Sequence, residues 1–574
     1  MPQNLLFYLD FLLNCPVMLK CPEYGGFDMF ARTKKSGKYE YLQVVENHRE
    51  GSKVNQRVIA TLGRLDQMHA KAEVETLIRS LARFSENALL ILSGRSNVTA
   101  ECTAVGPALI FDRLWKDLGI SKVFESLLAE RFFAFDVERA LFLNVLHRLM
   151  VSGSDRSCDK WRRDYAVEGV GSIELHHLYR AMAFIGEEIE DRKSATPFAP
   201  RCTKDVVEER LFLLNRHLFS GLDLVFFDTT SIYFEGAGGQ TIGERGFSKD
   251  NRPDLNQMVV GAVLDDNGRP LCCEMWPGNT TDVKTLIPVV KRIKARFNVS
   301  DFCIVADRGM ISKETMKEFD DPKNKVPYIL GVRMRNVKVV HEKVLSDQGA
   351  FREIRPEGKS SKAPSPLQVK EIRVDGRRYI VCLNPKQARK DRADREAIVA
   401  SLEEQLKKGD KSLVGNRGFR RYIKSEKGAF SIDRQKIEEE ARFDGKWVLT
   451  TNTKLSADKV ALKYKELWMV EHTFRSMKSL LETRPVYHRL DETIRGHVFC
   501  SFLALMLKKE LYRRLEDAGH NFEWADIKQD LKALTKTVIE EDGKRFAVRN
   551  QCQGVCGKVF QSVGVAVPPT IREI

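Results

Sequence analysis

The pattern of apolar and polar positions changes character several times along the chain, and each change predicts a different kind of element. From Phe30 to Leu65 the positions alternate, with Tyr39, Tyr41, Gln43 and Val45 in one register. A turn at His48 to Ser52 and a second alternating run, Val54 to Leu62, complete the pattern of a β-hairpin. Residues 68 to 86 read as helix, and helical periodicity dominates from Gly106-Pro107 to about Ser220, as in Ala108 to Leu118, Val137 to Val151 and Val206 to Leu218. At Leu222 strands and helices begin to alternate. Leu222 to Phe227 is a nearly continuous apolar run ending at Asp228, the pattern of a buried central strand. Gln257 to Leu264 and Pro270 to Trp276 are strands joined by the turn Asp265-Asp266-Asn267-Gly268. Next come a helix over Asp282 to Phe297, a strand over Phe302 to Ala306 ending at Asp307, a short helix over Lys313 to Phe319 and a strand over Val326 to Val332.

The series is then interrupted between Arg335 and about Lys446. This portion is strand-rich, clearest in Val369 to Leu383 around an Asp375-Gly376 turn. A charged helix from Gln387 to Lys408 and the basic residues Arg417, Arg420, Arg421 and Lys424 follow. Trp447 to Thr451 resumes as a strand, and Thr493 to Leu511 is one more apolar helix. The order predicts a mixed sheet with helices on its faces, carrying an insertion.

Ser456 to Leu481, directly after the resumed strand, predicts a helix capped by Ser456 with no Gly or Pro inside it. Val460, Tyr464, Leu467, Glu471, Phe474, Lys478 and Leu481 follow one another at alternating steps of 4 and 3, so the pattern puts them on one stripe. Five of them suit a core, whereas Glu471 and Lys478 are charges on the face expected to be covered. A carboxylate there is costly unless it is paired or binds a metal, so a buried ion pair and a functional site both explain it.

Composition narrows the class. The 574 residues are 43% hydrophobic and 30% charged, enough for several folded domains. Ninety-four Lys and Arg against 79 Asp and Glu give a net charge of +15, which favours a polyanionic partner such as nucleic acid or an anionic membrane surface. The hairpin carries a local excess of cations (Arg32, Lys34, Lys35, Lys38, Arg49, Lys53, Arg57 and Arg64) that fits DNA contact and a solvated basic face alike. Twelve scattered Cys fit a reduced, cytoplasmic protein. Cys272-Cys273, adjacent in a strand, point to opposite faces and read as packing, while Cys552 and Cys556 lack the partners of a zinc site. The apolar run Asn4 to Leu19 is too short for a bilayer and lacks the flanks of a signal peptide.

Two acids stand directly after predicted buried strands, in Phe226-Phe227-Asp228-Thr229-Thr230-Ser231 and Ile304-Val305-Ala306-Asp307-Arg308-Gly309. Strand ends are where sheets with helices on their faces hold ligands. Together with Glu471 they could converge on one point, and hard oxygen ligands in that number suit Mg²⁺ or Mn²⁺. A pair of such ions would serve phosphodiester chemistry. A phosphatase with an aspartyl nucleophile is disfavoured, because Asp-x-Asp is broken by Thr230.

The helix resembles the Tyr-x2-Arg-x3-Glu-x6-Lys signature of bacterial insertion-sequence transposases with an Asp-Asp-Glu active site. Tyr464, Glu471 and Lys478 match at the right spacing; Leu467 stands where that family has Arg, and Arg475 is a candidate substitute. Asp228-Thr229-Thr230-Ser231 and Asp307-Arg308-Gly309 are similar to the family's two Asp motifs, and Gly278 to Asp282 to a recurring loop between them. The resemblance covers about Leu222 to Leu507. It implies a ribonuclease-H-like mixed sheet flanked by helices and interrupted by a strand-rich insertion; with the regions read above, the expected chain is multidomain α/β, that sheet preceded by a small β-hairpin module and a helical domain. The expected divisions are an N-terminal extension over 1–28, the basic module over 29–100, a helical DNA-binding domain over 101–220, the catalytic domain over 221–335 and 447–515, the insertion over 336–446, and a C-terminal region over 516–574.

Carried over residue by residue, the resemblance makes Asp228, Asp307 and Glu471 catalytic metal ligands, for Mg²⁺ or Mn²⁺ and two ions. Tyr464 and Lys478 become contacts to transposon-end phosphates. Arg484, His488 and Arg489, in the loop after the helix, join them on charge and position, and Arg308 beside the second Asp is a further candidate DNA contact. The implied activity is cleavage at terminal inverted repeats and joining of the freed 3′-hydroxyls to target DNA. Double-stranded DNA is the expected partner, a homodimer or larger synaptic assembly the expected state, and the bacterial cytoplasm, at the nucleoid and not the membrane, the expected location. A repair or recombination nuclease of the same fold and a non-catalytic DNA-binding derivative remain as alternatives.

Overall fold

The computed structural model describes residues 28–50, 53–70, 74, 77, 101–191, 199–219, 223–299, 302–322, 325–355, 366–408, 420–426, 429–541 and 544–574. The expectations for the first 27 residues, for most of the helix over 68–86 and for Arg417 lie outside them. The chain divides into two compact units, the first formed mainly by residues up to Glu101 and the second by most of the rest.

Three antiparallel strands build the first unit: β1 (Asp28–Ser36), β2 (Tyr39–Glu50) and β3 (Lys53–Arg64), followed by the short helix α1 (Leu65–Ala70). Sequence periodicity predicts only a hairpin of the last two. The alternating stretch from Phe30 takes in β1 without marking it as a strand of its own, because its polar run Arg32 to Lys35 gives little apolar pattern; backbone pairing such as Phe30 with Val45 places it beside β2.

The second unit begins with helices α2 (Gly106–Asp117), α3 (Ile120–Leu128), α4 (Val137–Met150), α5 (Asp155–Trp161), α6 (Leu175–Gly186) and α7 (Thr203–Leu214). α4 is buried along nearly its whole length. A nine-stranded sheet follows, made of β4 (Leu224–Tyr233), β5 (Gln257–Leu264), β6 (Pro270–Pro277), β7 (Cys303–Ala306), β8 (Tyr328–Val332), β9 (Arg352–Ile354), β10 (Leu367–Val374), β11 (Arg377–Leu383) and β12 (Lys446–Thr451). Its order is β9-β10-β11-β12-β8-β7-β4-β5-β6. The first three strands form an antiparallel meander, and β7 and β8 add to β4 in parallel. Strands of the segment 336–446 extend this same sheet, because β11 pairs antiparallel with β12. The hairpin turn between β10 and β11 has Asp375 and Gly376 at φ 51 and 76, the left-handed pair that the Asp-Gly dipeptide predicts.

Both faces of the sheet are covered, which is why its strands read as continuous apolar runs. Val225 and Phe227 face α8 (Leu286–Phe297) and α9 (Lys313–Asp320). Phe226, Val305 and Ile329 pack with α12 (Ala457–Lys465), α13 (Trp468–Arg475) and the long α14 (Asp491–Asp517). The charged helix α10 (Pro385–Lys407) and the short α11 (Arg434–Ala441) lie between β11 and β12 in the chain. Cys272 and Cys273 enter the two opposite cores, as their adjacency on β6 predicts. α14 crosses α6 closely: a Cβ on Gly496 would lie 2.0 Å from Met182 O.

The helix expected over Ser456 to Leu481 forms, but not with one uniform turn. Ser456 caps it, its hydroxyl accepting from Lys459 N–H. At the α12–α13 junction the bonds run i to i+3: Leu467 N–H to Tyr464 O at 3.1 Å, Met469 to Glu466 at 2.9 Å and Val470 to Leu467 at 3.0 Å. A π turn over Ser476–Leu480 then loosens the chain again. Three residues per turn advance each side chain by roughly 20° more than an α-helix does. The buried stripe therefore passes through Leu467, Val470, Phe474 and Met477. Glu471, expected on the covered face, is exposed.

Candidate active site

The parallel ladder between β4 and β7 ends at Phe227 paired with Ala306. Asp228 and Asp307 are the next residues on the two neighbouring strands. Each has the parity of the residues packed under α12–α14, Phe226 and Val305, so both carboxylates project to that face. Asp307 ends its strand as the pattern predicts. Asp228 does not end β4, which continues to Tyr233 against β5; it ends only the pairing with β7.

A third acid joins them. Asp282 follows the Gly278 loop and opens a single 3₁₀ turn, and its Oδ1 accepts from Thr229 Oγ1 at 2.6 Å. Lys249 Nζ lies 3.1 Å from Asp282 Oδ2 and donates to Thr229 O and Oγ1 at 2.8 and 2.9 Å. Gly309, next to Asp307, comes close enough that its Cβ would sit 3.5 Å from Asp282 Oδ2. Burial pushes the Asp228 carboxyl up to about 6, and the neighbouring Asp307 and Asp282 push it the same way against Lys249 and the Thr229 N–H. Three carboxylates with one bonded lysine leave an excess of negative charge in a half-buried place.

Tyr464 closes the site from α12. Its hydroxyl donates to Asp307 Oδ1 at 2.8 Å. Burial first, and the Asp307 carboxylate second, raise the phenol far above its ordinary range, so it stays a donor. Gly331 on β8 leaves the space: a Cβ there would lie 2.3 Å from the Tyr464 oxygen. Arg333 fixes the turn after Asp307 by donating to Arg308 O at 3.2 Å and Gly309 O at 3.0 Å.

The other sequence candidates divide into three groups. Lys478 and Arg484 converge on Asp250 Oδ1, at 2.8 and 2.5 Å. Burial lowers the Lys478 ammonium, and Asp250 opposes that. Arg308, Arg475, Arg489 and Glu471 are exposed, and among the described residues Glu471 forms no hydrogen bond or ion pair with the three aspartates. His488 goes elsewhere, into a closed polar group: its Nε2 is 3.1 Å from His497 Nδ1 and 3.4 Å from Asp155 Oδ2. Asp155, His488 and His497 have the spacing of metal ligands. Arg148 Nη2, 2.9 Å from His497 Nδ1, puts a fixed positive charge where an ion would need to sit.

Sequence reasoning missed Thr229, Lys249, Asp250 and Asp282 as parts of the site. Asp282 carries a signal, as the acid of the loop that resembles the transposase pattern. Lys249 and Asp250 carry none, because they lie in a glycine-rich polar loop with no periodicity.

Comparison with known proteins identifies the family. Residues 220–507, half of the chain, match the transposase DDE domain, and residues 30–93 match the N-terminal domain of the IS1634 family transposases. The chain belongs to the transposase DDE-domain family. It is an insertion-sequence DNA transposase, an enzyme that cleaves DNA and transfers strands with the help of divalent cations. No curated protein matches it in sequence. A cryo-EM structure of a piggyBac transposase synaptic complex with hairpin DNA is similar at 11% identity, over 74% of this chain and 79% of that one, with a TM-score of 0.37. Among the described residues no helix is long and apolar enough to cross a membrane.

Proposed function

We propose that Asp228, Asp307 and Glu471 are the catalytic acids of this transposase, holding Mg²⁺ or Mn²⁺ as two ions, on a ribonuclease-H-like core. The order β6-β5-β4-β7-β8, a meander followed by parallel additions, supports the fold. The observation that carries the site is the pair Asp228 and Asp307 on adjacent parallel strands, closed by Tyr464 from the helix that leads to Glu471. The donor set fits hard cations: carboxylate oxygens only, crowded enough to push Asp228 up to about 6. Such ions would activate a water or 3′-hydroxyl and stabilise the leaving oxygen.

The chain's own groups supply orientation and charge. Tyr464 aims Asp307 by donating to one of its oxygens. Thr229 and Lys249 hold Asp282 near the pair, which makes it a further candidate acid. Lys478 and Arg484 offer cations to the phosphates of the strand. Exposed Arg308, Arg475 and Arg489 extend that basic track, whereas His488 serves to anchor the loop that carries Arg484. The substrates would be the terminal inverted repeats of the element and its target DNA, bound by a dimer or larger synaptic assembly at the nucleoid. The basic sheet within 29–100 and the helices within 101–220 are the parts to recognise the ends.

Duplex DNA carrying the element's ends, incubated with Mg²⁺, tests the reading. Parent protein is expected to cut at the ends and join them to target, and Asp228→Asn, Asp307→Asn and Glu471→Gln to do neither while still binding. Cutting without joining would mark a nuclease instead, and variants that cut and join like the parent would sink the residue assignment.

A further inference from the structure

The turn Ser248–Asp250 joins the two halves of the site. Its backbone is fixed by side chains: Lys249 N–H donates to Ser231 Oγ at 2.8 Å, and the N–H groups of Asp250 and Arg252 donate to Ser248 Oγ at 3.3 and 3.0 Å. Ser231 is buried, three residues beyond Asp228 on β4. Lys249 reaches from this turn to the aspartates, and the next residue reaches to the cations. Asp250 Oδ1 takes both Lys478 Nζ and Arg484 Nη1, while Oδ2 is buried with no hydrogen-bond partner among the described residues.

We propose that Asp250 is a positioning residue that gathers Lys478 and Arg484 into a two-cation clamp for one phosphate of the reacting DNA strand. This rests on the reading of Asp228 and Asp307 as the reacting centre. Two nitrogens 2.8 and 2.5 Å from one oxygen stand at most about 5 Å apart, close enough for one phosphate group to meet both. Like charges that close repel, so an anion must hold them until the phosphate arrives. One carboxylate against two cations leaves a net positive charge. A closed structural pair would match every oxygen with a donor; here one carboxylate oxygen and several donors are left over. Lys478 uses one of its three N–H groups on Asp250, and Arg484 uses one nitrogen of three, with its guanidinium also placed 5.7 Å from the Tyr233 ring centroid. Their side chains are 12% and 27% exposed, so each retains an open edge for a ligand.

The test is a mutant cycle on the full chain. A labelled duplex copied from the end of the element is titrated in chelator at several salt concentrations, with Asp250→Ala, Asp250→Asn, Lys478→Ala/Arg484→Ala and the triple variant. Asp250→Ala is expected to weaken binding ~10-fold and to flatten the dependence of log K on log salt by about one phosphate contact. Asp250→Asn, which keeps an acceptor oxygen, is expected to recover part of the loss. In the Lys478→Ala/Arg484→Ala background Asp250→Ala should add nothing, because its effect runs through those two groups. An equal loss in both backgrounds, or an unchanged affinity and slope for Asp250→Ala at a parental melting temperature, would overturn the proposal. Binding in chelator does not depend on the metal-holding acids, so the clamp can fail while Asp228→Asn still abolishes cleavage, and the reverse outcome is equally readable.

Discussion

Two clusters of carboxylates lie within the second unit, one under α7 and one at the ends of β4 and β7, and they obey opposite rules. Beneath α7, Asp205, Glu208, Glu209 and Glu274 meet Lys204, Arg292, Arg296 and Arg201 one for one, with Arg296 bridging Asp205, Glu208, Glu209 and Glu274 at 2.5 to 3.3 Å. Burial alone would raise the Asp205 carboxyl, but Arg296, Lys204 and Arg292 overcome it and hold that group far below the usual range, whereas at Glu208 burial outweighs Lys204 and Arg296 and the carboxyl is raised. At the strand ends, burial raises Asp228 and the neighbouring acids add to it. Matched charge makes the first cluster a fastener between α7, β6 and α8. Unmatched charge makes the second the place where, in the proposed reading, divalent cations would be held.

Removing one acid from each cluster is the strongest way to break this comparison. Asp228→Asn or Asp307→Asn is expected to lower Mg²⁺-dependent DNA cleavage by ~1000-fold or more, the scale of losing a principal catalytic group, with the melting temperature in chelator equal to or above the parent's. Asp205→Asn should leave buried cations without their anion and cost about 3 kcal/mol or more in urea unfolding. If Asp228→Asn destabilises the protein as much as Asp205→Asn, the contrast between fastener and site is wrong.

Acidity sharpens it next. Asp228 binds its proton more tightly in the folded chain, at about 6 against 3.8 for the ordinary group, so the proton favours the folded state. The stabilisation is complete below about pH 4 and is lost as pH rises through about 6. In chelator, Asp228→Asn should remove that loss, visible as a smaller difference in melting temperature between pH 5 and pH 7. An identical pH profile for the variant and the parent would count against the raised carboxyl.

How much of this was legible beforehand depends on the range of the information. Asp228 and Asp307 were readable because continuous apolar runs locate buried strands, and the residue after such a run has few places to go. β1 was not legible as a separate strand, since its polar run Arg32 to Lys35 leaves little apolar pattern. Nor was the exposure of Glu471: a 4-and-3 stripe assumes one uniform helix, and three i to i+3 bonds between Tyr464 and Val470 rotate the remainder. Asp282 and Lys249 reach the site through contacts with Thr229 from segments 53 and 20 positions away, and no local periodicity encodes such pairings.

That rotation makes the third acid the next question. Glu471→Gln is expected to abolish cleavage and joining while keeping DNA binding, and Asp282→Asn to slow cleavage by roughly 10- to 100-fold by releasing Lys249 and Thr229. The reverse ranking in a single-turnover assay would transfer the third role to Asp282, which already stands beside the pair.

The smallest expected effect concerns Tyr464. Tyr464→Phe removes one hydroxyl and the hydrogen bond to Asp307, worth about 1 kcal/mol, so cleavage should fall only ~5- to 10-fold with little change in melting temperature. Gly331→Ala attacks the same bond from the other side. Its methyl would lie 2.3 Å from the Tyr464 oxygen, so the ring must move away from Asp307. The rate should fall at least as far as in Tyr464→Phe, and Tyr464→Phe/Gly331→Ala should be no slower than Gly331→Ala alone, because the second change has no bond left to break. Multiplying losses in the double variant would mean that Tyr464 acts on the substrate directly and not by aiming Asp307.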